Sequence, residues 1–544
     1  MEFFETTNIH LYIAIFLSII NGGLLCFLSS KFLQVYQQAG YHIKGYNAWM
    51  RGTRYKYLSR LFILSLLSIS CALVTNALFD VYHSQAIYSY LGLIFYFYFS
   101  FSFIMNLIKE PNKTPLVKTK RIGRTIAIMF ILYSSLTFCL IALSTEFFKL
   151  LRFGVITITP ILVPFVVILA FWILTPFELL VNHYYISKAK RKLKKLPNLI
   201  RIGITGSYAK TTNKFILQQM LSQKYKTIAS PHSFNTPLGL TRVILQQIDS
   251  DDEIFIAEMG AKRRGEIEEL CNLIVPDHAL ITGIGNQHLE TFKSVEVISQ
   301  TKFELAQSIT NGFVVFNGDS KPNFELYEKY DNPNKLISFA NDEKGFAFCR
   351  EIEANKNGLK FKLVVDGKEI NCQTKLLGKF NLQNIALCAS LAYKLGVSLK
   401  QIKTAIKELK PVAHRMELIS GENCLIIDDS FNASVEGCDA ALETLSLFTD
   451  MKKVIITPGI VEMGKYETEV NKNLGKKIAE VCDYAIIVNE VNLTALKAGL
   501  EEGGFNEENI RVVDNLEAAK TSFASLQLEN CVVLFENDLP DLFV

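Results

Sequence analysis

The first 175 positions and the rest of the chain carry different hydrophobic rhythms. Five apolar runs, at 9–28, 58–79, 86–108, 122–143 and 153–174, each have roughly the 20-residue length of a bilayer-crossing helix. Beyond 198, short β-rich runs alternate with polar, helix-like stretches. The runs 254–257, 279–281 and 314–316 are continuously apolar, as buried parallel strands are. The runs 359–365 and 368–376, on either side of Asp366-Gly367, predict a hairpin. A further series at 424–427, 453–456, 484–488, 510–513 and 531–535, with helices between, predicts a doubly wound sheet. The expected fold class is a multi-pass α-helical membrane domain (1–175) and a basic juxtamembrane linker helix (176–198), followed by two α/β domains (199–412 and 413–544).

Charge orients the first part. Lys31, Lys44, Arg51, Arg54 and Lys56 lie between the first two runs, and Lys109, Lys113, Lys118, Lys120 and Arg121 between the third and fourth. Lys188, Lys190, Arg191, Lys192, Lys194 and Lys195 follow the fifth, while the other connections are short and nearly balanced. Basic loops stay on the cytoplasmic side. The expectation is a plasma-membrane protein with its N-terminus outside and everything past 174 in the cytoplasm. The first run lacks a basic start and is followed by too many others to be a cleaved signal. Pro160, Pro164 and Pro176 are expected to kink or end the fifth run. The stretch 177–196, apolar then basic, is expected to lie on anionic lipid. The runs hold almost no ionisable residue, which argues against an ion path.

Composition sharpens this. Mean hydropathy is +0.22, high for a soluble chain of this size, and the 39 Phe contribute to it. A net charge of +4 gives no reason to expect nucleic acid. Eleven cysteines with no CxxC pair argue against a zinc site or a disulfide framework.

Candidate chemistry begins at Gly203-Ile204-Thr205-Gly206-Ser207-Tyr208-Ala209-Lys210-Thr211-Thr212, after an apolar run and before a helix-like one. Strand, small-residue turn, Lys-Thr and helix form the layout of a phosphate-binding loop. Backbone N–H groups face the phosphates, the lysine adds charge and the hydroxyl holds Mg²⁺. The candidate nucleotide contacts here are Gly203, Thr205, Gly206, Ser207, Lys210, Thr211 and Thr212. Glu258 and His288 follow predicted strands, and Lys302 lies on the next helix. A carboxylate, an imidazole and the Thr211 hydroxyl at neighbouring strand ends suit a Mg²⁺–nucleotide site. Singly, Glu258 could equally be a helix N-cap charge and His288 a surface histidine.

From Gly203 to about Leu447 these blocks occur in the order of a known family. They are the loop itself, Phe234-Asn235-Thr236-Pro237-Leu238-Gly239-Leu240, Ala257-Glu258-Met259-Gly260-Ala261 with Gly265-Glu266-Ile267, and Gly283 to Glu290. Lys302, Gly378-Lys379-Phe380-Asn381-Leu382-Gln383-Asn384, His414-Arg415 and Ile427-Asp428-Asp429-Ser430-Phe431-Asn432-Ala433 complete the series. The chain thus resembles the Mur ligase family, and within it the branch that adds D-alanyl-D-alanine. The resemblance implies a Mur-ligase-like P-loop ATPase central domain and a doubly wound, Rossmann-like C-terminal domain. It implies an ATP-dependent amide ligase that forms an acyl phosphate on the carboxylate of an envelope precursor and joins it to an amino acid or dipeptide. By position, Lys210 would hold the β- and γ-phosphates, and Thr211 and Glu258 one Mg²⁺. His288 and a carbamylated Lys302 would hold a second, Asn384 would read adenine, Arg415 would meet the phosphates, and Asp429 with Asn432 would close over the nucleotide.

Against the family's pattern, Ala209 replaces the loop glycine, Phe431 a tyrosine, and the acidic Leu534-Phe535-Glu536-Asn537-Asp538-Leu539-Pro540-Asp541 a basic, glycine-containing loop after the last strand. The acidic end implies either a different substrate or merely a solvated tail. The family's UDP-binding N-terminal domain is replaced by the five runs, so the expected partners are the lipid bilayer and an envelope precursor, with a membrane partner protein left open. Two other readings remain: a poly-γ-glutamate-type polymer synthase, and an inactive nucleotide-binding scaffold of the envelope machinery.

Overall fold

The computed structural model describes the chain except residues 1, 53–55, 83–86, 110–114, 148–153, 288, 422–423, 432 and 539–544. The chain divides near residue 182 into two compact units.

The N-terminal unit is helical. Its long helices are Glu2–Leu28, Lys56–Tyr82, Ile87–Lys109, Lys120–Phe147 and the start of Val163–Lys194. Among the described residues, four stretches are long and apolar enough to cross a membrane: Leu11–Leu28, Lys56–Thr75, Lys120–Ala142 and Ile156–Lys194. The third expected run forms the helix Ile87–Lys109, of which Leu93–Leu107 is an apolar stretch among the described residues. Large apolar side chains face outward, among them Phe16, Phe27, Tyr98 and Trp172. Polar groups gather inside. Asn21 donates to Thr137 (2.9 Å) and Thr159 (3.1 Å) and accepts from the Tyr96 hydroxyl (2.7 Å), so one buried amide joins four elements. An apolar rim around a polar node inverts the usual arrangement of a water-soluble bundle. The fifth run departs from expectation. Gly154–Leu162 forms a 3₁₀-helix containing Pro160, and the α-helix starts at Val163, with Pro164 in its first turn where no N–H is needed. This helix passes Pro176 and continues to Lys194, so 177–194 is its extension and not a separate helix.

The second unit holds two sheets. The first has nine strands, β1 (Ile200–Thr205), β2 (Thr227–Ala229), β3 (Ile254–Glu258), β4 (His278–Ile281), β5 (Val314–Asn317), β6 (Lys335–Ser338), β7 (Ala347–Asn355), β8 (Gly358–Val365) and β9 (Lys368–Thr374). They run in the order β2-β3-β1-β4-β5-β6-β7-β8-β9, parallel up to β7 and antiparallel after it. Alternation along β3 shows why the strand is buried on both faces. Ile254 and Ile256 join one core with Ile216 and Leu217, and Phe255 and Ala257 join the other with Leu240 and Leu270. The expected hairpin is β8–β9, and positive φ at Asp366 (52°) and Gly367 (72°) matches the twist that short hairpins need.

The second sheet comprises β10 (Glu417–Ser420), β11 (Cys424–Asp429), β12 (Lys452–Thr457), β13 (Tyr484–Val488), β14 (Ile510–Val513) and β15 (Cys531–Glu536). The order is β10-β11-β15-β12-β13-β14, parallel except for β10. Both sheets point the carboxyl ends of β1, β3, β4 and of β11, β15 towards loops, where doubly wound folds bind ligands.

Candidate functional site

The loop between β1 and the helix Lys210–Leu221 is fixed at its base by the segment after β4. Ser207 and Thr282 hold the two segments together: the Ser207 N–H donates to the Gly283 carbonyl (2.7 Å), and the Thr282 hydroxyl donates to the Tyr208 carbonyl (2.6 Å). The approach is so close that a Cβ on Gly206 would lie 1.9 Å from Thr282 Oγ1, and one on Gly283 1.9 Å from Tyr208 Cζ. Ala209 takes the left-handed conformation (φ 61°, ψ 7°) that the missing glycine would favour. The turn is therefore formed with the strain kept, which removes the main motive for reading the loop as degenerate.

Lys210 Nζ rests on the carbonyls of Gly206 (2.7 Å) and Ser207 (2.8 Å). Burial lowers its pKa to about 8, against the raising field of Glu258. Thr211 Oγ1 donates to Glu258 Oε2 at 3.0 Å, and Arg415, from the second sheet's domain, reaches Thr211 Oγ1 at 3.4 Å. The Arg415 guanidinium lies 4.5 Å over the Phe431 ring, so the phenylalanine supplies a stacking face without a hydroxyl. Asp429 accepts from the Met416 N–H (3.1 Å), and burial raises its pKa to about 7. Lys302 is buried, 3.5 Å from the Ala261 carbonyl, and burial, then the neighbouring Lys210 charge, lower its pKa to about 7.

Other expected residues sit differently. Gly203 and Thr205 lie within β1: a Cβ on Gly203 would meet Leu305, and the Thr205 hydroxyl donates to the Met259 carbonyl (2.9 Å). Both are packing residues beneath the loop. Thr212 is half-buried at the third position of the loop helix. Asn384 is buried, accepting from Asn213 (2.8 Å) and donating to Asn381 (3.1 Å), and so ties its helix to the loop helix. His288 and Asn432 lie outside the described residues. The acidic end is no solvated tail at Glu536, which is 1% exposed at the end of β15 beside Cys438 Sγ (3.0 Å). Burial, then the Asp429 charge, push its carboxyl well above the usual range.

Sequence reasoning missed Lys214. Its side chain is fully buried, with Nζ 3.0 Å from Glu258 Oε2 and bonded to the His232 carbonyl. Asn235 donates to Glu258 Oε1 (3.2 Å), and the Glu258 N–H donates to Ser230 Oγ (3.2 Å). The available signal was spacing, because Lys214 is three residues after Thr211 and so shares its helix face. Glu436 was also missed. From the C-terminal domain it accepts the Asn286 N–H at 3.2 Å.

The oxygens of Thr211 and Glu258 are hard donors of the kind Mg²⁺ prefers, so these two residues fit one such ion. Among the described residues no group of three His, Cys, Asp or Glu gathers to bind a metal. A candidate phosphate loop with a lysine, a hydroxyl and a carboxylate at adjacent strand ends, met by an arginine from a second α/β domain, is the arrangement of a two-domain α/β protein with its candidate site where the domains meet.

The comparisons narrow the class. The profile of the Mur ligase middle domain matches residues 204–392, and that of the Mur ligase glutamate ligase domain matches 414–535. The chain belongs to the Mur ligase family. It is similar to the UDP-N-acetylmuramoyl-tripeptide–D-alanyl-D-alanine ligase of Buchnera aphidicola, 26% identical over 58% of this chain and 66% of that one. The Bacillus subtilis enzyme of the same name is 29% identical over 54% and 62%. The chain thus spans less than two thirds of the length of these relatives. Among solved structures, MurF of Thermotoga maritima in complex with ADP superposes with a TM-score of 0.58 and 26% identity, covering 66% of this chain and 80% of that one.

Proposed function

We propose that the protein is an ATP-dependent Mur-type amide ligase, held in the cytoplasmic membrane by its N-terminal helices. It joins a carboxylate of a cell-envelope peptide or glycopeptide precursor to the amine of an amino acid or dipeptide. The observation that supports this best is the contact chain Arg415–Thr211–Glu258 beside Lys210. These contacts gather two cations and a carboxylate from two domains, a set that suits phosphate and a divalent ion. The outward apolar side chains and inward polar node of the N-terminal unit favour the membrane reading.

In this reading a precursor carboxylate oxygen attacks the γ-phosphorus of ATP, and ADP leaves. The amine then attacks the acyl carbon, and phosphate leaves as the amide forms. Lys210 exchanges its loop carbonyls for phosphate oxygens and stabilises the charge that develops in transfer. Thr211 and Glu258 hold Mg²⁺, which when bound neutralises phosphate charge. Lys302 is a site for carbamylation: its depressed pKa leaves much of it as free amine near pH 7, the form that adds CO₂ with loss of one proton. Such a carbamate and His288 would be the residues to hold a second ion. Arg415 and Asp429 bring the C-terminal domain over the nucleotide, excluding water from the acyl phosphate.

The test is phosphate release by purified full-length protein given Mg-ATP, UDP-linked or lipid-linked peptide precursors and candidate amines, D-alanyl-D-alanine among them. The expected result is amine-dependent release that Lys210→Ala abolishes. Release no higher than in that variant with every precursor defeats the proposal.

A further inference from the structure

Glu258 is fully engaged in this state. Oε2 takes the Thr211 hydroxyl and the Lys214 ammonium, both at 3.0 Å, and Oε1 takes Asn235 at 3.2 Å. Lys214 and Glu258 are 0% and 1% exposed in their side chains, so the pair is shielded from water and each charge is the other's compensation. The ammonium is itself anchored: it bonds the His232 carbonyl, and His232 has a positive φ of 45°. Arg415 adds a second fixed cation at Thr211. A bare divalent cation arriving at Glu258 would meet a carboxylate already neutralised and two cations close by.

We propose that Lys214 is a positioning residue that fixes Glu258 and denies this carboxylate to free divalent cations, so that the metal enters only together with a nucleotide. The inference rests on the ligase reading, in which Glu258 and Thr211 hold Mg²⁺. The polyphosphate supplies the negative charge that Lys214 has cancelled, and metal and nucleotide then bind as a unit. Glu258 need not be repositioned when they arrive, because Lys214 and Asn235 already hold both its oxygens in place. The two effects separate on substitution. Removing the ammonium leaves an uncompensated buried carboxylate, which attracts a free cation more strongly but holds a less defined direction.

The experiment is Mn²⁺ binding to full-length protein, read by the electron paramagnetic resonance of free and bound ion, with and without ADP. The wild type is expected to hold Mn²⁺ that Glu258→Gln removes only when ADP is present. Lys214→Met is expected to bind Mn²⁺ without ADP at least about tenfold more tightly than the wild type. Adding Glu258→Gln to that variant should abolish the gain. If Lys214→Met fails to fold, Lys214→Gln, which keeps a hydrogen-bond donor without the charge, should show the same gain. Tight Mn²⁺ binding by the wild type alone that Glu258→Gln abolishes, or variants that bind ADP yet gain no affinity for free Mn²⁺, would overturn the proposal. A wild type that binds neither ADP nor ADP with Mn²⁺ would instead overturn the ligase reading.

Discussion

Replacing Ala209 by glycine probes the loop at its strained point. The residue sits at φ 61°, and its carbonyl accepts the Asn213 N–H at 2.9 Å, so the turn also begins the loop helix. A left-handed non-glycine residue costs about 1–2 kcal/mol. Glycine relieves that but loosens the unfolded chain, which costs about 0.4–1 kcal/mol. The balance is a gain of about 0.5 kcal/mol, equal to roughly a twofold slowing of exchange at the Asn213 amide if that amide opens locally. The strain is present with or without nucleotide, so ADP affinity should change by less than about twofold. Amide exchange by mass spectrometry and ADP titration calorimetry measure the two quantities. Ala209→Val, with a branched Cβ in the same region, should speed exchange at Asn213. A tenfold loss of ADP affinity in Ala209→Gly, or faster exchange at Asn213, would show that the strained turn is not the working geometry.

Gly283→Ala would place a methyl 1.9 Å from Tyr208 Cζ, and such overpacking costs about 1–3 kcal/mol; thermal unfolding should show the loss, and Tyr208→Ser in the same chain should recover part of it. His278 is a pH element of the fold, because its Nδ1 accepts the Phe313 N–H (2.9 Å) and burial lowers its pKa below the ordinary 6.5. Below pH 6.5 the unfolded chain takes up a proton that the folded chain resists, so its contribution to stability is full above 6.5 and falls as pH falls towards the folded pKa. His278→Gln should flatten unfolding midpoints measured between about pH 5 and 6.5; an unchanged slope would exclude His278 as the cause. Removing CO₂ should lower turnover, bicarbonate should restore it, and Lys302→Ala should be insensitive to both.

The strand–loop–helix at 200–221 was legible because continuous apolar runs bounded by small residues have few other solutions, and β13 and β14 fall on the expected residues for the same reason. Short and polar strands were harder. The four-residue edge strand β10 and the interior strand β7, whose second half alternates with charged residues, were not anticipated, since such stretches look like loops. The fifth apolar run misled in detail, because hydropathy does not separate a 3₁₀ segment from an α-helix, and Pro176 is tolerated inside the long helix. At the site, Lys210, Thr211 and Glu258 could be named because they end predicted strands or start a helix. Gly203 and Thr205 were included by pattern, yet they face the core. Lys214 escaped because a lysine in a polar helix ordinarily faces solvent; only the three-dimensional course of β3 shows the carboxylate that buries it.

The central claim is that a carboxylate is activated by phosphorylation, and oxygen tracing tests it most directly. Full-length protein is given Mg-ATP, an amine and a peptide precursor labelled with ¹⁸O in its carboxylates, and phosphate and amide are analysed by mass spectrometry. The account predicts that each amide formed releases one phosphate carrying one ¹⁸O from the carboxylate. Amide formed with unlabelled phosphate, or labelled precursor left unligated while ATP is hydrolysed, would contradict it.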